Sequence, residues 1–379
     1  MPQQPSGWPR GRNGPWYKNG VRTLRVKSSA PDPRILAEAA AVLAKGGIVA
    51  FPTETVYGLA VDGANPAAVR KMYAVKGRDA RKLCAFLLPD RAAAGRHAPP
   101  LPLFASRLAD SFWPGPVTLV VPGHDGETVG LRLPDAPLAL ALARAAGRPL
   151  LQTSANPAGE PAGLNAAAVA STLGARVDLL LDGGKCPLQR SSTVVRCDAT
   201  RYAILREGAV SAERIVQAAS ELTLFACTGN LCRSPMAEAF LLQEAAAELG
   251  CAPEELVWHG QRFGSFGVLA VAGMPATGET IRVAEELGAD VSGHKSRAFA
   301  LDLVASARRV LTLAGNHQDF LIPYFVDRPD DLFALRPDGR DVVDPMGKSL
   351  AVYRRVAKEI QEACRARAQE LFARKESSA

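Results

Sequence analysis

The chain has 379 residues, 47% hydrophobic and 22% charged, with a net charge of +7. That length allows two domains or three small ones, and the composition is too apolar for a disordered protein. No apolar run is long enough to cross a bilayer and the N-terminus has no apolar signal core, so the reading is cytoplasmic with no membrane partner. Seven cysteines (Cys84, Cys186, Cys197, Cys227, Cys232, Cys251 and Cys364) are too scattered for a disulfide framework. They imply a reducing compartment in which any special cysteine is reactive.

Six of the seven excess positive charges, Arg10, Arg12, Lys18, Arg22, Arg25 and Lys27, fall in residues 1–27, which hold no acid. Residues 1–20 form a Pro/Gly-rich basic arm, expected to be disordered until about Val21. A solubilising tail is the simpler reading. Trp8, Trp16 and Tyr17 also suit an RNA tether that combines charge with base stacking.

Residues 22–27 then read as a strand, 33–44 as a helix closed by Gly46-Gly47, and 48–51 as a buried strand stopped by Pro52. Strands are expected at 84–88, 117–121, 129–133, 150–153, 177–181, 193–197 and 203–206, with helices at 101–111 and 138–146. The spacing predicts an α/β domain with a twisted mixed sheet over 21–216. A helix at 211–219 leads to a restart, with 217–221 read as a linker. A strand at 222–226, a helix at 235–248, a strand-like 256–258, a helix at 276–287, a strand at 310–313 and a long helix at 349–374 follow. They predict a doubly wound parallel-sheet domain over 222–375.

No Walker loop occurs in the first domain, so P-loop chemistry is not indicated. Instead Thr53-Glu54-Thr55-Val56-Tyr57-Gly58-Leu59 follows a buried strand, and Lys76-Gly77-Arg78 sets two cations on a turn. Trp113-Pro114-Gly115-Pro116 makes a rigid bend. Arg132 lies on an apolar strand, where a cation needs an acid or a ligand. Thr153-Ser154-Ala155-Asn156 ends a strand, Ser191-Ser192-Thr193 precedes one, and Arg206 ends another. Each piece alone has a bland reading as a cap, turn or core element. Together, four cations and several hydroxyls at strand ends suit a triphosphate and a carboxylate.

In the second domain, Cys227-Thr228-Gly229-Asn230-Leu231-Cys232-Arg233-Ser234-Pro235 joins an apolar strand to a helix. Such a loop can wrap a tetrahedral anion with backbone N–H groups, aided by the helix N-terminus. Arg233 can grip two phosphate oxygens. Cys227 at its base is a candidate nucleophile, and Ser234 a hydrogen-bond partner for its sulfur. Gly229 is expected to take a backbone conformation other residues resist. Asp344-Pro345 marks a sharp turn that could aim an acid at the cradle.

In their order, the first set of segments resembles the threonylcarbamoyl-AMP synthase (YrdC/YciO) family over about 21–216. The resemblance implies condensation of L-threonine, bicarbonate and ATP, with the product feeding threonylcarbamoyladenosine formation in tRNA. It implies that Arg78, Thr128, Ser154 and Arg206 contact ATP, with Lys76 and Asn156 nearby, and that Thr55, Arg132 and Ser192 contact threonine. Mg²⁺ would accompany the triphosphate. Leu87 stands where many synthases carry a threonine-contacting histidine.

The second set resembles the low-molecular-weight protein phosphatases over about 222–371. The resemblance implies a phosphoprotein substrate and no cofactor: Cys227 forms a phosphocysteine, Arg233 binds the phosphate, and Asp344 acts as acid and then base. Gly229, Asn230 and Ser234 build the substrate loop. Cys232 could form a reversible disulfide with Cys227. Cys-Thr-Gly-Asn and Asp-Pro-Met-Gly-Lys-Ser resemble arginine phosphatases, whereas Leu231 resembles the tyrosine type. The thiol-dependent arsenate reductases share the loop but need a cysteine relay, for which only Cys251 and Cys364 are present. The rival readings are a non-catalytic RNA-binding first half and a phospho-ligand sensor in the second.

Overall fold

The computed structural model describes residues 16–18, 20–79 and 84–372. The chain divides into two compact units, Met1–Ala219 and Ser220–Ala379.

In the first unit the strands are β1 (Trp16–Lys18), β2 (Val21–Arg25), β3 (Val49–Phe51), β4 (Gly58–Asp62), β5 (Ala85–Leu87), β6 (Val117–Pro122), β7 (Thr128–Arg132), β8 (Leu150–Ser154), β9 (Leu179–Asp182), β10 (Thr193–Cys197) and β11 (Tyr202–Arg206). They form one sheet in the order β1-β2-β9-β3-β4-β8-β5-β7-β6-β10-β11. Parallel pairs such as β5–β7 alternate with antiparallel pairs such as β4–β8 and β6–β7, so the sheet is mixed, as the sequence predicts. The helices are α1 (Pro33–Ala44), α2 (Pro66–Lys76), α3 (Leu103–Phe112), α4 (Pro137–Ala146), α5 (Ala166–Thr172) and α6 (Ala212–Ala219). Asp32 and Asn65 cap α1 and α2 ahead of a proline in the first turn, and Gly77 closes α2 in the left-handed conformation. Alternation along β3 buries both faces. Ile48 and Ala50 join a core with Met72 of α2 and Val169 of α5, while Val49 and Phe51 join one with Leu43 of α1 and Leu142 of α4.

Three expectations change. Residues 16–18, placed in a disordered arm, pair antiparallel with β2. That pairing covers the backbone edge β2 would otherwise expose. Residues 1–15, with Trp8, Arg10 and Arg12, lie outside the described residues. The stretch 217–221 is no linker: it holds the last turn of α6, Ser220 and the first residue of the next strand. Lys76 belongs to the last turn of α2 rather than to a surface turn.

The second unit has β12 (Glu221–Cys227), β13 (Gln261–Gly267), β14 (Arg309–Thr312) and β15 (Leu332–Ala334) in the order β13-β12-β14-β15, all parallel. Helices α7 (Arg233–Leu249), α8 (Gly278–Glu286), α9 (Leu301–Ser306), α10 (Gly315–Leu321) and α11 (Leu350–Phe372) complete it. Leu222, Leu224 and Ala226 pack into one core, and Phe225 and Cys227 into another with Met236 of α7 and Ile360 of α11. The period of two therefore carries Cys227 to the α7 side. Residues 256–258, read as a strand, form part of a 3₁₀ segment, Pro253–His259, and the strand is β13. Because β13 and β14 flank β12, the end of β12 is the switch point of the sheet, where ligands of such folds bind.

Candidate active sites

Thr55, Arg78, Arg132, Ser154, Ser192 and Arg206 line one cavity of about 390 Å³ in the first unit. Three arginines therefore face a common space. Burial comes first among the causes lowering the Arg206 pKa, followed by the charges of Arg78 and Arg132. A polyanion relieves that repulsion. Arg78 Nη1 donates to Thr153 Oγ1 at 3.1 Å, and Arg206 Nη2 donates to the Ser192 carbonyl at 2.9 Å. The Ser192 and Thr118 hydroxyls share a bond of 2.9 Å. Arg132 is 4% exposed and has an internal acid: its Nη2 donates to Glu54 Oε1 at 2.6 Å and to Thr55 Oγ1 at 3.4 Å. Its buried Nε has no partner among the described residues.

Three expected ATP residues stand apart from this lining. Lys76 is buried, and its Nζ donates to the carbonyls of Ser154 at 2.6 Å and Asn156 at 2.7 Å and to Asn156 Oδ1 at 3.2 Å. Burial, then the Arg78 charge, pushes its pKa down to about 8. Lys76 thus ties α2 to the end of β8, and Asn156 Nδ2 donates to the Glu160 carbonyl at 2.5 Å. Thr128 opens β7 at an exposed position, on the face it shares with Gly130 and Arg132. Leu87 joins the hydrophobic core, and Cys84 and Ala85 meet the cavity instead.

In the second unit, two donors converge on Cys227. The Asn230 backbone N–H lies 3.2 Å from Sγ, and Ser234 Oγ lies 2.9 Å from it. Asn230 Nδ2 donates to Ser234 Oγ and to Ser265 Oγ, each at 2.9 Å, which leaves the Ser234 proton for the sulfur. The strained position is Asn230, at φ +55°, and not Gly229, whose φ is outside the left-handed region. Asparagine tolerates that conformation, and four hydrogen bonds hold it there. Arg297 N donates to its Oδ1 at 2.7 Å, His294 Nε2 donates to its carbonyl at 2.8 Å, and the amide binds both serines.

Arg233 opens α7 and is almost buried. Its Nη1 donates to the Val342 carbonyl at 3.1 Å, and its Nη2 reaches Thr228 Oγ1 at 3.2 Å and Asp344 Oδ2 at 2.5 Å. The turn brings Asp344 to the cradle as its Asp-Pro sequence predicts, with Oδ1 accepting from Met346 N at 3.1 Å. Cys227, Arg233 and Asp344 thus meet at one helix N-terminus. Cys232 is a free thiol with Sγ 3.6 Å from Tyr353 Oη, and burial leads the causes that raise its pKa.

The family model described as telomere recombination (Sua5/YciO/YrdC) matches residues 41–208, and that of the low molecular weight phosphotyrosine protein phosphatases matches 223–377. A threonylcarbamoyl-AMP synthase from Halorhodospira halophila is 34% identical over 184 residues, covering 46% of this chain and 91% of that protein. The chain belongs to the threonylcarbamoyl-AMP synthase family, and its second unit carries the match to the phosphatase family model. The Bacillus subtilis threonylcarbamoyl-AMP synthase is 39% identical over 197 residues, 49% of this chain, and the match spans only 57% of the relative's length. The relative from Pyrococcus abyssi is likewise spanned over 57% of its length. A crystal structure of a YwlE mutant from Bacillus subtilis is 30% identical, covering 40% of this chain and 99% of that one with a TM-score of 0.36.

Within the Sua5/YciO/YrdC unit, sequence reasoning missed Glu54, the buried partner of Arg132. The apolar strand around Arg132 signals that some partner exists but not which one. Within the second unit it missed Ser265, His317 and Gly267. A methyl group at Gly267 would lie 2.6 Å from the Thr228 carbonyl oxygen, so only glycine lets β13 approach the cradle this closely. No helix among the described residues is long and apolar enough to cross a membrane.

Proposed function

We propose that the first unit condenses L-threonine, bicarbonate and ATP into L-threonylcarbamoyl-AMP and pyrophosphate, a precursor for threonylcarbamoyladenosine in tRNA. The observation that carries this reading is the set of three arginines around one cavity. Arg78 and Arg206 neutralise the triphosphate, with Ser154 beside them. Arg132, steadied by Glu54, has an unpartnered Nε for the amino acid carboxylate, flanked by Thr55 and Ser192. Among the described residues no cluster of His, Cys, Asp or Glu suits a metal ion. A Mg²⁺ would accompany the ATP phosphates, where its charge helps neutralise them. Catalysis is positioning and charge neutralisation. The test is pyrophosphate release from ATP with labelled bicarbonate and a panel of amino acids. Release that is strongest with threonine supports the reading. A better amino acid would revise the substrate, and no release with any would refute it.

The second unit is proposed to act as a phosphatase on phosphoproteins. Cys227 Sγ forms a bond to phosphorus as the bond to the leaving atom breaks, and Asp344 gives that atom a proton. Asp344 then takes a proton from the water that splits the P–S bond, releasing phosphate. Arg233 binds the phosphoryl oxygens throughout. Leu231 makes the loop apolar where arginine phosphatases carry a hydroxyl, which favours phosphotyrosine over phosphoarginine. Comparing kcat/KM on phosphotyrosine and phosphoarginine peptides tests the preference. A preference for phosphoarginine would overturn it.

A further inference from the structure

His317 lies outside every motif of the second unit and is fully buried on α10. Its Nε2 is 2.9 Å from Thr228 Oγ1, the second residue of the cradle. Its Nδ1 is buried with no partner among the described residues. An orphaned N–H is rarer and more costly than an orphaned acceptor, so the ring carries its proton on Nε2 and donates it to Thr228. Thr228 Oγ1 also receives Arg233 Nη2 at 3.2 Å. With both lone pairs of that oxygen accepting, its own O–H has to donate elsewhere. Thr228 directly follows Cys227 at the start of the loop, and no acceptor for this hydroxyl stands among the described residues.

We propose that His317 is a positioning residue that turns the Thr228 hydroxyl into a phosphate donor, adding one side-chain hydrogen bond to the backbone cradle and the Arg233 fork. The relay runs from α10 through Thr228 to the ligand and holds Arg233 Nη2 in place at the same oxygen. The ring stays neutral through the working range. Burial leads the causes that push its pKa down to about 4, the Arg233 charge adds to them, and Asp344 and Asp341 oppose them. Asp341 is occupied at the start of α10, where its Oδ1 accepts from Gly315 N at 2.8 Å.

This inference rests on the phosphatase reading, and one experiment separates the two. The full chain is assayed with p-nitrophenyl phosphate, and inhibition by inorganic phosphate and by orthovanadate is measured for wild type, Thr228→Val, Thr228→Ser, His317→Ala and the double variant. Thr228→Val is expected to weaken vanadate inhibition about tenfold, the worth of one charge-assisted hydrogen bond. Thr228→Ser, which keeps the hydroxyl, recovers most of that loss. His317→Ala loses a similar factor with kcat/KM falling alongside, and the double variant is no worse than either single one, because both remove one relay. Unchanged vanadate inhibition in Thr228→Val, or fully additive losses in the double variant, would overturn the relay while wild-type turnover left the phosphatase reading standing. A wild type that neither hydrolyses the ester nor binds phosphate would remove the phosphatase reading itself.

Discussion

Replacing Gly267 by alanine is expected to disable the proposed phosphatase activity without touching a reacting atom. The added methyl would meet the Thr228 carbonyl oxygen at 2.6 Å, Ala270 Cβ at 2.8 Å and Asn230 N at 2.9 Å. Two of these atoms are cradle backbone, which has no rotamer by which to yield. Ordinary contact begins at 3.4 Å, so the loop or β13 has to retreat by about half an ångström to one ångström. The two are also tied together, because Val268 N donates to the Cys227 carbonyl at 2.9 Å and Leu269 N to that of Thr228 at 3.0 Å. Overpacking of this kind costs about 1–3 kcal/mol of stability. A donor array displaced by about 1 Å loses on the order of a hundredfold in rate. Steady-state kcat/KM for p-nitrophenyl phosphate should therefore fall by about that factor, while pyrophosphate release by the first unit is unchanged. A folded Gly267→Ala chain with wild-type kcat/KM would refute the argument that this glycine sets the cradle.

Arg132→Ala leaves Glu54 buried and unpaired and should lower the stability of the first unit by about 3–5 kcal/mol in urea unfolding. Arg206→Ala, at the end of β11, should instead weaken ATP binding more than tenfold by calorimetry with little loss of stability, since its removal leaves no buried acid unpaired among the described residues. The His317 ring titrates near 6.5 unfolded and at about 4 folded, so between those values the unfolded chain binds more protons. Stability of the second unit should fall as pH drops through that window and level off below it. The loss is about 3 kcal/mol and should be absent from the pH profile of His317→Asn unfolding. Leu231→Thr should move the ratio of phosphotyrosine to phosphoarginine turnover toward phosphoarginine.

Both sites are legible where chemistry is written contiguously. Cys227, Arg233 and Ser234 share one loop between an apolar strand and a helix, and Asp344-Pro345 is a turn wherever it falls. Arg78, Arg132 and Arg206 mark strand or helix ends, and the fold brings all three to one cavity. What stays hidden depends on long-range packing. Glu54 reads as one polar residue in a threonine-rich turn until β7 brings Arg132 beside it. Lys76 looks like half of a surface Lys-x-Arg pair, yet α2 buries it against the carbonyls that end β8. The strand β13 carries two glycines in seven residues, which weakens its β pattern, and Gly267 is there for the approach of the cradle. His317 has no motif around it, and only the packing of α10 beside the loop joins it to Thr228.

The most direct measurement follows pyrophosphate from ATP, threonine and bicarbonate, and phosphate from a phosphotyrosine peptide, on one preparation of wild type, Arg206→Ala and Cys227→Ser. Both products are expected from wild type. Arg206→Ala should lose pyrophosphate release and keep phosphate release, and Cys227→Ser should do the reverse while still binding phosphate. A wild type that yields only one of the two products, or a Cys227→Ser chain that still hydrolyses the peptide, would contradict the assignment of two independent chemistries to this chain.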